Sequence, residues 1–195
     1  MNIFDSGIVL TANENACLLH MVPDAEAWVT SMISEKARLR RDALIRDWQS
    51  RLFADESVTE LPADSDELAT LILARSDYLT RAQKDAAADP VGSTSTNQKD
   101  GYDSVTRSGS TVTLFGSGIS LADLTGNVIL AYVQNLEEWV YGALMGMVNR
   151  GKKKMVRQYH PIIMADASVT TMPATEDGLI TMILARSDYQ RLGSN

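Results

Sequence analysis

The chain has 195 residues, 45% of them hydrophobic, and carries a formal net charge of −7. That length fits one ordinary domain or two small ones, and the acidic balance disfavours non-specific nucleic-acid binding, which runs on excess Lys and Arg. A single cysteine, Cys17, excludes an intramolecular disulfide framework, and two histidines give no basis for a structural zinc site.

The first residues, MNIFDSGIVL, lack the basic start of a secretory signal. No apolar run approaches the roughly 18 residues of a membrane span. Ile8, Val9 and Leu10 predict a short strand. Thr11 and Glu14 have capping-box spacing, which predicts a short helix. The corresponding TGNVILAYV further on also reads as turn then strand, and the helix is the reading favoured for both. A long helix follows, with Asp24 as N-cap and Glu26 in its first turn, where a carboxylate suits the helix dipole. Trp28, Val29, Met32, Ile33, Ala37, Leu44, Ile45, Trp48 and Leu52 recur along it at helical spacing. A loop leads to a short helix expected from about Pro62 to Tyr78, with Leu68, Leu71 and Ile72 on its apolar face. Together the two helices form a helical hairpin.

The same pattern then returns. Shifted by 111 residues, FDSGIVL meets FGSGISL, EAWV meets EEWV, ADESVTELPA meets ADASVTTMPA, and ILARSDY is spelled identically at 72–78 and 183–189. From Phe4 to Tyr78 no gap is needed, and more than a third of the positions are identical. The chain reads as a tandem duplication: copy one at about 1–84, copy two at about 112–195, and a Pro/Gly/Ser/Thr-rich linker at 85–111 whose tail suggests a β-hairpin around Ser108-Gly109. The fold class expected is mainly α with short β-strands: two strand–helix–long helix–short helix units forming a pseudo-twofold pair. In copy two the long helix starts at Asn135, and Pro161 is expected to bend or end it early. Gly142 and Gly146 offer a small-residue face where another helix could cross.

Positions kept in both copies are the candidates for a shared role. Trp28 and Trp139 are expected to be buried at equivalent core sites. Arg75, Ser76, Asp77 and Tyr78, with Arg186, Ser187, Asp188 and Tyr189, are either a polar structural lattice or a duplicated binding patch. Arg46 and Arg157 are also kept, and polarity suggests pairing with Asp77 and Asp188. Two basic clusters occupy nearly equivalent stretches of the long helices: Lys36, Arg38, Arg40 and Arg41, and Arg150, Lys152, Lys153 and Lys154. They are either a solvated face or a docking surface. Catalysis has little support. His20 aligns with Ala131, His160 with Gln49 and Cys17 with Val128, so no nucleophile or imidazole recurs, and no glycine-rich phosphate loop follows a strand. Neither a catalytic residue, a metal site, a cofactor nor a small-molecule substrate is expected.

The run IVLTANENACLLHMVPDAEAWVTSMISEKARLRRDALIRDW, continued by LFADESVTELPA, resembles a group of small proteins encoded by tailed bacteriophages, including marine and cyanobacterial ones. Their pattern is a strand ending in Leu-Thr, a Glu-containing short helix, Asp-Pro-Glu-Glu-Trp, a long helix with a basic middle, and a Pro-Ala turn before a short helix. Leu10-Thr11, Glu14, Asp24, Glu26, Trp28 and Pro62-Ala63 match it. In copy two Glu137, Glu138, Trp139 and Pro173-Ala174 match, while Leu121-Ala122 and Asn135 depart. The resemblance implies a non-enzymatic virion component of neck, tail or capsid surface, made in the host cytoplasm, whose partners are other virion proteins and copies of itself. The competing expectation is an intracellular adaptor that binds nucleic acid or a host protein through the basic helix middles.

Overall fold

Short polar side chains open most of the helices in the computed structural model, which describes residues 1–88 and 111–191. Thr11 caps α1 (Ala12–Leu19) through a complete capping box with Glu14. Asp24 accepts from the Ala27 N–H at the head of α2 (Ala25–Ala54), and Asp64 caps α3 (Ser65–Leu73). The helix α4 (Arg81–Ala88) follows. In the second half, α5 (Asp123–Leu130) starts at Ala122 without a side-chain cap, α6 (Leu136–Ala165) is capped by Asn135, and α7 (Glu176–Leu184) by Thr175. Each such cap stabilises by about 1 kcal/mol by satisfying an N–H that the helix leaves open.

The protein is mainly helical, and its described residues include four short strands in two antiparallel pairs. β1 (Asn2–Ile3) pairs with β4 (Ile119–Ser120), and β2 (Ile8–Thr11) pairs with β3 (Thr111–Leu114). Asn2 faces Ser120 and Ile3 faces Ile119; Val9 faces Thr113 and Ile8 faces Leu114. Every strand bond therefore joins the first half to the second.

The helices follow the same plan. α2 folds back on α3 and α6 on α7, but α1 packs chiefly against α6, and α5 chiefly against α2. The two long helices touch each other little. Each half thus lays its N-terminal arm of strand and short helix on the other half's hairpin. The buried side chains of both halves merge into one core, including Val29, Ile33, Leu44, Trp48, Leu52 and Ile72 from the first, and Val140, Leu144, Met155, Tyr159, Ile163 and Ile183 from the second.

Several expectations change. α6 runs past Pro161 to Ala165, because Tyr159 and Ile163 on its buried face hold the last turns against a proline penalty of about 3 kcal/mol. The short helices stop at Leu73 and Leu184, before the tyrosines; the Arg75 and Tyr78 N–H groups then bond back three residues, as do those of Arg186 and Tyr189. Among the described residues nothing crosses at Gly142 or Gly146, where an added Cβ would meet no atom within 4 Å. The close approach is at Gly151, whose hypothetical Cβ would collide with the Cys17 carbonyl oxygen near the end of α1. α4 crosses the expected linker boundary at 84–85, and the Ser108-Gly109 hairpin lies outside the described residues.

Candidate functional site

The retained residues of the heptapeptide close each hairpin. The long helix ends at Asp55, whose Oδ1 accepts from the Ser57 N–H at 3.0 Å and the Ser57 hydroxyl at 2.6 Å. Its Oδ2 lies 2.8 Å from the Arg75 guanidinium, which also donates to Asp77 at 2.8 Å. In the second half Asp166 takes the Ser168 N–H and hydroxyl at 3.0 and 2.6 Å, and Arg186 joins Asp166 at 2.9 Å to Asp188 at 2.8 Å. The Ser57 hydroxyl first, then Arg75, hold the Asp55 carboxyl down to about 2; Ser168 and Arg186 do the same for Asp166. Each arginine therefore ties the end of a long helix to the turn after a short one. Arg46 and Arg157 are exposed and form no ion pair with Asp77 or Asp188, which are taken by arginines two residues earlier in the chain.

A second retained pair joins the halves. Phe4 and Phe115 both adopt positive φ, at 54° and 51°, a conformation that costs a bulky side chain about 1–2 kcal/mol. Each starts a tight turn, its carbonyl accepting from Gly7 or Gly118 at 2.7 Å. The Phe4 N–H donates to Glu137 at 2.7 Å, and the Phe115 N–H donates to Glu26 at 2.6 Å. Glu26 and Glu137 are thus more than first-turn charges: each holds the turn of the opposite arm. The signal was present in FDSG, FGSG and the repeated Glu-x-Trp, but a phenylalanine has no propensity for such a backbone.

Trp28 and Trp139 sit at corresponding places, yet both are only half-buried. The fully packed indole is Trp48, 5% exposed, against Tyr78 with ring centres 6.1 Å apart. The corresponding pair is Tyr159 and Tyr189 at 5.8 Å. The Tyr78 hydroxyl is buried without a hydrogen-bond partner, whereas the Tyr159 hydroxyl accepts from the Gln190 N–H.

Much of the basic clusters is engaged internally. Arg38 bridges Glu35 and Asp42, and Arg40 lies 4.6 Å over the Tyr132 ring. Arg41 pairs with Asp66, and Lys152, 111 positions later, pairs with Asp177 at 2.6 Å, so both clip a long helix to the start of its short helix. Arg150 reaches the Met147 sulfur, Lys36 is half-buried, and Lys153 and Lys154 are exposed.

Other groups with chemical potential are inward-facing. Cys17 is buried, and desolvation pushes its thiol up to about 11, away from thiolate chemistry. His20 is 5% exposed and stacks on Tyr189 at 6.1 Å, and neither ring nitrogen has a hydrogen-bond partner. Burial, then the Lys154 charge, lower its pKa. Among the described residues no group of three or more His, Cys, Asp or Glu side chains could hold a metal ion, and no helix is long and apolar enough to cross a membrane.

What faces outward is apolar at one repeated place. Phe53 is 69% exposed and Met164 is 64% exposed; they lie 111 residues apart, one residue before the last residue of each long helix. No family model, no curated protein and no solved structure matches the chain.

Proposed function

We propose that this protein is a non-enzymatic structural component that works through protein–protein contacts, as a tandem duplication whose copies pair about a pseudo-twofold axis. The registers of the two strand pairs interchange under a shift of 111, and so do the Phe–Glu bonds and the Arg–Asp clasps, which supports the paired-copy reading. The observation that carries the functional reading is the exposure of Phe53 and Met164. Single exposed apolar side chains are ordinary, but the same helix end left apolar in both halves gives one molecule two matched contact points. Placement in a tailed-phage particle, at neck, tail or capsid surface, rests on the sequence resemblance.

The internal pairing of Arg38, Arg41 and Lys152 favours this role over an adaptor that binds through the basic helix middles. A mass-spectrometric inventory of purified particles tests the placement: stoichiometric presence supports it, and absence removes it. A Phe53→Ser, Met164→Ser variant tests the contact. It should melt like the parent yet fail to join the assembly.

A further inference from the structure

We propose that the cleft at the head of α6 takes an arginine side chain from a partner protein. The inference rests on the structural role proposed above and deepens it by naming one group the partner brings. A cleft of about 470 Å³ opens among Gln134, Glu138, Trp139, Gly142 and Ala143. That volume lies within the range of ligand clefts and has room for one long side chain. The corresponding residues of the first half are Pro23, Ala27, Trp28, Ser31 and Met32. The tryptophan is kept, while the second half trims Ser31 to Gly142 and Met32 to Ala143 and places a carboxylate, Glu138, where the first has Ala27. An added Cβ at Gly142 would meet no atom of the described residues within 4 Å, so the trimmed space is open.

The lining selects a cation. Glu138, in the first turn of α6, is the one ionisable group among the described lining residues, and none of them is basic. Its Oε2 is buried with no hydrogen-bond partner, which leaves the carboxylate a donor short. Gln134 at the rim is engaged, donating to Asp85 at 2.6 Å, and Asp85 is paired with Arg81 at 2.9 Å. Trp139 is half-buried and forms an aromatic wall. Among the described residues the arginines that stack on rings lie over Tyr132 and Trp48, and Trp139 carries none. A guanidinium answers both features: its N–H groups donate to a carboxylate, and its flat face stacks on an indole. A lysine ammonium is more strongly hydrated and has no flat face to stack.

Three probes test this, each with an acetylated N-terminus and an amidated C-terminus: arginine, citrulline (its neutral isostere) and lysine. They are titrated into the full-length protein and followed by NMR at the Glu138 and Gly142 amides and the Trp139 indole N–H. Capped arginine should give saturable shifts and bind about tenfold tighter than capped citrulline, the difference expected from one charge-assisted contact. Capped lysine should bind more weakly than arginine. Glu138→Gln, which keeps the side chain's size, should bring arginine down to the level of citrulline. Gly142→Ser with Ala143→Met, which restores the first half's residues, should abolish the response, and a thermal melt checks that this variant is folded. The titration needs no particle, so absence of the protein from particles would remove that placement and leave this result unchanged. No saturable response to arginine, equal binding of arginine and citrulline, lysine binding at least as tight as arginine, or arginine binding that persists in the folded double variant would each overturn the proposal.

Discussion

The backbone N–H of Phe4 donates to the carboxylate of Glu137 across the two halves of the chain at 2.7 Å, and Phe115 meets Glu26 in the same way at 2.6 Å. A hydrogen bond to a charged acceptor contributes about 1.5–3 kcal/mol net, enough to offset the positive-φ strain of one phenylalanine. Phe4 is 2% exposed and its bond to Glu137 is partly buried, whereas the Phe115–Glu26 bond is exposed. Glu137→Ala should therefore destabilise by about 2 kcal/mol and Glu26→Ala by less than about 1 kcal/mol, read from urea midpoints. Equal losses would show that burial does not set the difference between the two bonds.

Glycines on α6 should respond in opposite directions. Gly151→Ala drives a methyl into the Cys17 carbonyl, a backbone atom that cannot swing aside. It should cost about 2 kcal/mol or more despite the better helix propensity of alanine. Gly142→Ala meets open space and should be neutral or stabilising by up to about 1 kcal/mol. Thermal melts of the two variants make the comparison.

Acid should weaken the molecule in two windows. His20 has a pKa below its ordinary 6.5 because the folded state disfavours its charged form. Its contribution is intact above that value and is lost as pH falls below it. Among the described residues the charge that acts on it is Lys154 on α6, so a protonated ring meets a like charge there. His20→Phe should flatten the stability profile between pH 7 and 5. Asp55 and Asp166, held to about 2 from an ordinary 3.8, contribute above 3.8 and lose that contribution as pH drops towards 2. Asp77 and Asp188 on the same arginines, with Asp85 and Glu35, are also held low, so Asp55→Asn with Asp166→Asn should shrink that lower limb while leaving the upper one.

Of the three tryptophans, Trp48 should matter most. Trp48→Ala should cost about 3–5 kcal/mol, while Trp28→Ala and Trp139→Ala, half-buried, should each cost less than about 3 kcal/mol. Quenching by acrylamide in single-tryptophan variants should find Trp48 the most protected.

Local patterns carried much of the fold. The caps at Thr11, Asp24 and Asn135 and the stripes Val29–Ile33–Ala37 and Val140–Leu144–Val148 were all legible, because capping and helical periodicity are written within a few residues. β1 was missed because two residues have no alternation to detect. The exchange of arms was also beyond reach: a stripe shows which face is buried, and it does not name the element that covers it. Arg75 reaches Asp55 across the hairpin loop as well as its near neighbour Asp77, and polarity alone carries no geometry that could assign Asp77 to Arg75 over Arg46. Pro161 and Gly142 misled for one reason: their effects depend on what the helix packs against at that level. For the site, the repeated heptapeptide marked the clasp, but the exposure of Phe53 and Met164 could not be read from residues that would have suited a core.

Each half gives its arm to the other, and backbone NOEs in the full-length protein test this exchange. Cross-strand contacts are expected between Asn2 and Ser120 and between Val9 and Thr113, both joining the first half to the second. Contacts that instead link Asn2–Ile3 to Ile8–Thr11, and Thr111–Leu114 to Ile119–Ser120, would place each arm on its own half and contradict it.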